Sequence, residues 1–244
     1  MAQSSNAITV EPGKQLPQSV TVRADGNDSA PEVTIHYMLF IPEQYKADGK
    51  PWPLMLFLHG LGECGNNELE FVKIHGPPKI VESRPDFPFV VVTPQLPPPK
   101  GGMKDVPKAW RPEPLIRLVD HVMENLNVDS TRVYVTGLSM GGYGTWRLVA
   151  THPERFAAAV PICGGGEPAA MASSLRRVPI WAFHGALDKT VPLARSQEMV
   201  DAVRCAGGDV RFTVYPDVAH NSWVRAYDNP DVYDWLLSHR GPVR

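Results

Sequence analysis

The sequence predicts an α/β fold: a mostly parallel central sheet of about eight strands with helices on both faces. Three observations carry that expectation. Apolar runs of strand length alternate with segments of helical periodicity. Several of those runs are apolar throughout, as expected of strands covered on both sides. Glycine and proline gather between the segments and punctuate them as turns.

Residues 1–17 are polar, carry two prolines and read as a loose lead-in. Ser19–Arg23 and Val33–Ile41 read as strands, with Gly26-Asn27-Asp28 as turn material and Pro42 as a stop. They are expected to pair as an antiparallel hairpin at the sheet edge. Leu54–Leu58, Phe87–Thr93, Arg132–Thr136, Phe156–Ile162, Val178–Phe183 and Val210–Tyr215 continue the series. Between them, Glu113–Leu126 places Leu115, Leu118, Val119, Val122 and Leu126 on one helical face. Gly142–Ala150 reads as a helix. Pro192–Cys205 opens on proline and stops before Gly207-Gly208, the usual asymmetry of helix ends. Val232–His239 is a further amphipathic piece. Gln95–Pro114 is crowded with proline and glycine and reads as a surface loop anchored by Trp110. No internal repeat or domain boundary interrupts residues 1–244, so a single domain is expected.

Bulk properties narrow the function. The net charge of −2 offers no polybasic surface for nucleic acid or an anionic membrane. Cys64, Cys163 and Cys205 form an odd set without C-x-x-C spacing. Free thiols in a reducing compartment are therefore expected, with one isolated bridge as the alternative. No apolar run approaches a membrane span, and the N-terminus lacks a secretory pattern. A cytoplasmic chain is expected, a trimmed secreted one being the alternative.

The chemistry centres on Gly137-Leu138-Ser139-Met140-Gly141, which falls between a strand and a helix. A serine at such a sharp turn is lifted out of the chain with its Oγ exposed. Its hydroxyl needs a base, and the base needs an orienting group. Among eight histidines, His220 stands out because it follows the last strand, at a strand's C-terminal end where open sheets place their sites. Asp188 follows the preceding strand and is the expected acid, with Asp217 as its competitor and helix capping as its alternative role. The oxyanion donors are expected to be the Met140 and Leu61 backbone N–H groups, with Gly62 as runner-up to Leu61. Glu63 is expected to orient that loop through hydrogen bonds. Gly62, Gln95, Tyr143 and Trp223 are candidate pocket residues, with structural roles as the alternative.

Five segments then carry a resemblance: Leu58-His59-Gly60-Leu61-Gly62-Glu63, Thr93-Pro94-Gln95, Gly137 to Trp146, His184-Gly185-Ala186-Leu187-Asp188 and His220-Asn221-Ser222-Trp223. In this order they resemble the α/β-hydrolase superfamily over nearly the whole chain. More narrowly the chain resembles small serine esterases of the prolyl-oligopeptidase-like, "predicted peptidase" and lysophospholipase/carboxylesterase groups. The order Ser139, Asp188, His220 is that superfamily's order. The resemblance implies an α/β-hydrolase fold with little or no cap. It also implies hydrolysis of a small-molecule carboxylic ester of short to medium acyl length, through an acyl-enzyme and with no cofactor or metal. Because a serine stands at 139, it implies distance from the dienelactone-hydrolase type, whose nucleophile is cysteine. Alternatives are a feruloyl or acetyl esterase on carbohydrate, a small-peptide peptidase, and a non-catalytic binding module. A monomer or small homo-oligomer is expected.

Overall fold

A computed structural model describes residues 7–24 and 30–243. Its centre is one eight-stranded sheet. The strands are β1 Gln15–Arg23, β2 Glu32–Phe40, β3 Trp52–Leu58, β4 Val90–Pro94, β5 Val128–Leu138, β6 Ala158–Ile162, β7 Ile180–Gly185 and β8 Val210–Tyr215. They lie in the order β1-β2-β4-β3-β5-β6-β7-β8. β1 pairs antiparallel with β2, and β2 antiparallel with β4; every later pairing is parallel. The expected edge hairpin is therefore present. Its turn, Gly26-Asn27-Asp28, lies outside the described residues.

Helices fill the crossovers. They are α1 Gly76–Ile80, α2 Pro112–Asn125, α3 Met140–Thr151, α4 Pro168–Leu175, α5 Ala194–Cys205, α6 Trp223–Asp228 and α7 Pro230–Leu237. Side chains alternate across the central strands, so each strand feeds two cores. Leu54, Leu56 and Leu58 of β3 pack with Leu118, Val119 and Val122 of α2, Trp146 of α3 and Val200 of α5. Met55 and Phe57 of β3 face the opposite layer, with Tyr227 of α6 and Trp235 and Leu236 of α7. The unbroken apolar runs follow from this, since neither face of the inner strands meets water.

The structure differs from the expected elements in several places. β1 begins at Gln15, inside the stretch read as a loose lead-in. Pro17 sits there without penalty because an edge strand has one unpaired side. Phe87–Phe89 is not strand; Phe87 and Phe89 are buried side chains of the turn before β4, and Pro88 has no N–H to lend a ladder. Pro112 and Pro114 belong to the first turn of α2, where their missing donors cost nothing. The loop before them does run without strand, and Trp110 is buried with its indole N–H donated to the His59 carbonyl at 3.2 Å.

Asp129, near the start of β5, anchors the chain's C-terminal segment. Its carboxylate accepts from Thr131 N–H and Oγ1–H at 3.0 and 2.6 Å, Arg132 Nε at 2.7 Å and Arg240 Nη1 at 3.0 Å. Burial opposes the charge, but these donors outweigh it and hold the carboxyl well below the usual range. A folded-state pKa below the unfolded value of about 3.9 contributes stability that is full at neutral pH and is lost progressively as pH falls from that value towards the folded-state one. Asp129→Asn is expected to lower the melting temperature at pH 7 and to narrow its gap to wild type at pH 3. Thermal denaturation at the two pH values checks this.

Candidate active site

The parallel strands all deliver their C-terminal ends to one rim of the sheet, and the predicted residues converge there. β5 ends at Leu138 and α3 starts at Met140, leaving Ser139 alone on the corner. Its φ is 53°, a left-handed conformation that an L-residue adopts only when its surroundings enforce it. The Ser139 N–H donates to Ile162 O at 3.0 Å, and its carbonyl accepts the Tyr143 N–H at 3.0 Å. The flanking glycines permit the corner through close approach. A Cβ on Gly141 would stand 1.8 Å from the Leu58 carbonyl oxygen, and one on Gly137 would stand 2.5 Å from Gly141 O. Strand and helix thus touch backbone to backbone.

His220 lies in the turn between β8 and α6. Its Nε2 stands 3.0 Å from Ser139 Oγ and its Nδ1 2.7 Å from Asp188 Oδ2. The second oxygen of Asp188 accepts the Thr190 and Val191 N–H groups at 2.8 and 2.9 Å. The carboxylate is fully enclosed and fixed from both sides. Asp217, its competitor, is exposed and paired instead with Arg225 at 2.7 and 2.8 Å. Trp223 sits edge-on to the His220 ring at 5.2 Å and also packs against His75 at 5.4 Å.

The turn after β3 is a short 3-10 helix, Leu61–Glu63. Leu61 opens it and Met140 opens α3, so neither N–H has a carbonyl within its own helix. Several groups hold this turn. Glu63, only 5% exposed, accepts the Gly60 N–H at 2.6 Å. Burial pushes its carboxyl above the usual range. Gln95 donates to Glu63 O at 3.1 Å and Glu68 O at 2.9 Å, and accepts the Asn67 N–H at 3.1 Å. The structure therefore places the Gln95 amide inside the turn's own hydrogen bonds. His59 accepts the Leu96 N–H on Nε2 at 3.0 Å, which leaves Nδ1–H to donate to Gly60 O at 2.6 Å. Burial lowers its pKa to about 4, so it is neutral at pH 7.

Tyr143, one turn beyond Ser139, lines a cleft of about 460 Å³ with Lys108, Arg147, Gly165, Glu167 and Arg195. The cleft follows the loop that leaves Ile162, the residue bonded to Ser139 N–H.

Sequence reasoning did not place Cys163 here. It is buried at the end of β6 with a φ of 40°, and its Sγ, Asp188 and His220 offer atoms within 4.8 Å of one another. Burial pushes the thiol well above its ordinary value, and a metal ligand must be a thiolate. Asp188 and His220 are moreover committed to each other, so the trio is poorly suited to a cation. Nothing in the local sequence singles out this cysteine. His184, beneath Asp188, is visible in the sequence only as part of the histidine–glycine segment that leads to Asp188.

The dienelactone hydrolase family model matches residues 111–234, half of the chain and the part that holds Ser139, Asp188 and His220. The chain belongs to the dienelactone hydrolase family. The expectation that Ser139 sets it apart from that type is corrected accordingly. Serine and cysteine differ by one atom at the same corner, while the match extends over more than a hundred residues of strand–helix framework. The chain is similar to a thermostable esterase of known structure, with 32% identity and a TM-score of 0.73 over 92% of this chain and 63% of that one. It is 26% identical to a bifunctional acetylxylan esterase/xylanase of Neocallimastix patriciarum, over 78% of this chain and 26% of that protein. A 49-residue stretch is 49% identical to poly(3-hydroxyalkanoate) depolymerase C of Paucimonas lemoignei, covering 20% of this chain and 12% of that one. The chain thus spans well under half of these two curated relatives. Among the described residues, no helix is long and apolar enough to cross a membrane.

Proposed function

We propose that this protein hydrolyses carboxylic esters through an acyl-enzyme on Ser139. The observation that carries the proposal is the relay from Ser139 Oγ to His220 Nε2 at 3.0 Å and from His220 Nδ1 to Asp188 Oδ2 at 2.7 Å. In this mechanism Ser139 Oγ attacks the ester carbonyl as His220 takes its proton. The new C–O bond makes a tetrahedral oxyanion, which the Leu61 and Met140 N–H groups stabilise. His220 then returns the proton to the departing alkoxide, and the alcohol leaves. A water, deprotonated by His220, attacks the acyl-enzyme, and Ser139 recovers its proton as the acid departs. Asp188 holds the imidazole in the Nδ1–H tautomer throughout. A fluorophosphonate probe tests the proposal directly. Stoichiometric modification of Ser139, located by mass spectrometry and coupled to loss of p-nitrophenyl acetate turnover, is expected. An unmodified Ser139 would overturn it and favour a binding module.

The cleft beside Tyr143 supports a preference among esters. Among the described residues, none of Lys108, Arg147 and Arg195 forms an ion pair, and the one acidic side chain lining the cleft is Glu167. An ester whose far end carries a carboxylate would meet this excess of cations. Arg147 lies about 6 Å along α3 beyond Tyr143. The double variant Arg147→Gln/Arg195→Gln is expected to raise KM for a p-nitrophenyl monoester of a dicarboxylic acid by about tenfold. KM for p-nitrophenyl acetate should stay unchanged. Equal KM changes for both substrates would refute the preference.

A further inference from the structure

A second histidine touches the acid of the proposed relay. His184, at the end of β7, is completely buried. Its Nε2 lies 2.9 Å from Val191 O and 3.3 Å from Asp188 Oδ2, the oxygen that also takes His220 Nδ1. Its Nδ1 lies 2.7 Å from Ser196 Oγ on α5, and Ser196 Oγ lies 2.9 Å from Gly164 O. Gly164 in turn rests on the first turn of α3, where a Cβ would stand 2.4 Å from the Gly142 carbonyl carbon.

The proton inventory restricts what this chain of groups can be. Burial holds the His184 pKa below the ordinary histidine value, so the ring carries one proton at neutral pH. A proton on Nδ1 would leave the Nε2 lone pair facing two oxygens, one of them anionic, inside a fully buried site. A proton on Nε2 satisfies Val191 O and Asp188 together, and the single Ser196 hydroxyl proton, within reach of Gly164 O, is then given to Nδ1 instead. The groups facing this cluster are Asp188 and His220 from the loops after β7 and β8, Cys163 from the end of β6 and Tyr143 from α3.

We infer that His184 is a positioning residue: its Nε2–H shares Asp188 Oδ2 with His220 and fixes both the orientation of the carboxylate and its pull on the base. This rests on the proposed roles of Asp188 and His220. An extra donor drains charge from the carboxylate and so weakens its hold on a protonated His220. Without that donor, His220 should become a stronger base and the carboxylate less constrained.

Histidine-labelled ¹⁵N NMR tests the inference without requiring turnover. In the wild type, His184 should be the neutral Nε2–H tautomer. In His184→Met, the pKa of His220 should rise by about one unit. The acid limb of kcat/KM for p-nitrophenyl acetate should move up with it, and kcat should fall about tenfold through lost positioning. His184→Gln, whose amide nitrogen can occupy the Nε2 position, should restore both towards wild type. A His184 found as Nδ1–H overturns the inference, even if the methionine variant fails to fold. So does a methionine variant with an unmoved His220 pKa. Failure of Ser139 to label would instead count against the ester-hydrolase proposal and leave the NMR result standing.

Discussion

Alanine at position 139 is expected to lower kcat on p-nitrophenyl acetate by about 10⁴- to 10⁶-fold while leaving the melting temperature unchanged or slightly raised. The size follows from the proposed chemistry: without the Ser139 hydroxyl the proposed acyl-enzyme cannot form, and His220 without its partner can only activate water. A residual rate of about 10³ over the uncatalysed reaction should remain, because the proposed oxyanion donors and the cleft are untouched. The stability side follows from the backbone. Ser139 holds a φ of 53° and makes its structural hydrogen bonds through its main chain, to Ile162 O and from Tyr143 N–H. The hydroxyl is therefore available for chemistry and is not needed to hold the corner. A progress curve and a thermal melt on the same preparation check both halves. Near-wild-type turnover would remove Ser139 from the mechanism.

The second large effect is structural and lies two residues on. Gly141→Ala is expected to abolish the native fold or to cost more than about 3 kcal/mol. The added methyl would stand 1.8 Å from Leu58 O and 2.8 Å from His59 O, both rigid backbone at the end of β3. Relief would require the start of α3 to move away from the sheet. That movement would carry Ser139 away from His220. Urea denaturation measures the loss, and a midpoint within error of wild type would contradict the close packing. By contrast, Gly207 has a φ of 78° and open space where a Cβ would go, so alanine there meets backbone strain alone.

Much of this architecture was legible because burial on two faces writes itself directly into composition. β3, β6 and β7 are short, apolar and bounded by turn residues, and they appear within a few residues of their expected limits. The relay was legible for a related reason. Each member follows its own strand, so chain order alone carries Ser139, Asp188 and His220 to the same rim. What could not be read was whatever depends on partners distant in sequence. Gln95 looked like a pocket residue from its place at a strand end, yet its amide bonds 27 to 32 residues back along the chain. β5 extends to Val128, well before its apolar stretch, because Trp52 pairs with it across a register shift. The brief helices α1 and α6 have too few turns to show a period. Cys163 and His184 matter only through what stands beside them in space.

Gly62 offers a different lesson. It sits in the turn beside Leu61, among groups so constrained that Glu63, Gln95 and His59 are all committed to hydrogen bonds. Yet a Cβ at Gly62 would meet nothing within 4 Å. This densely hydrogen-bonded turn therefore contains one exposed position with open space beside it. Bulk added there would project into open space without disturbing the scaffold beneath it. For the proposed ester hydrolase, position 62 is thus a place where side-chain size can be varied without touching the relay of Ser139, His220 and Asp188.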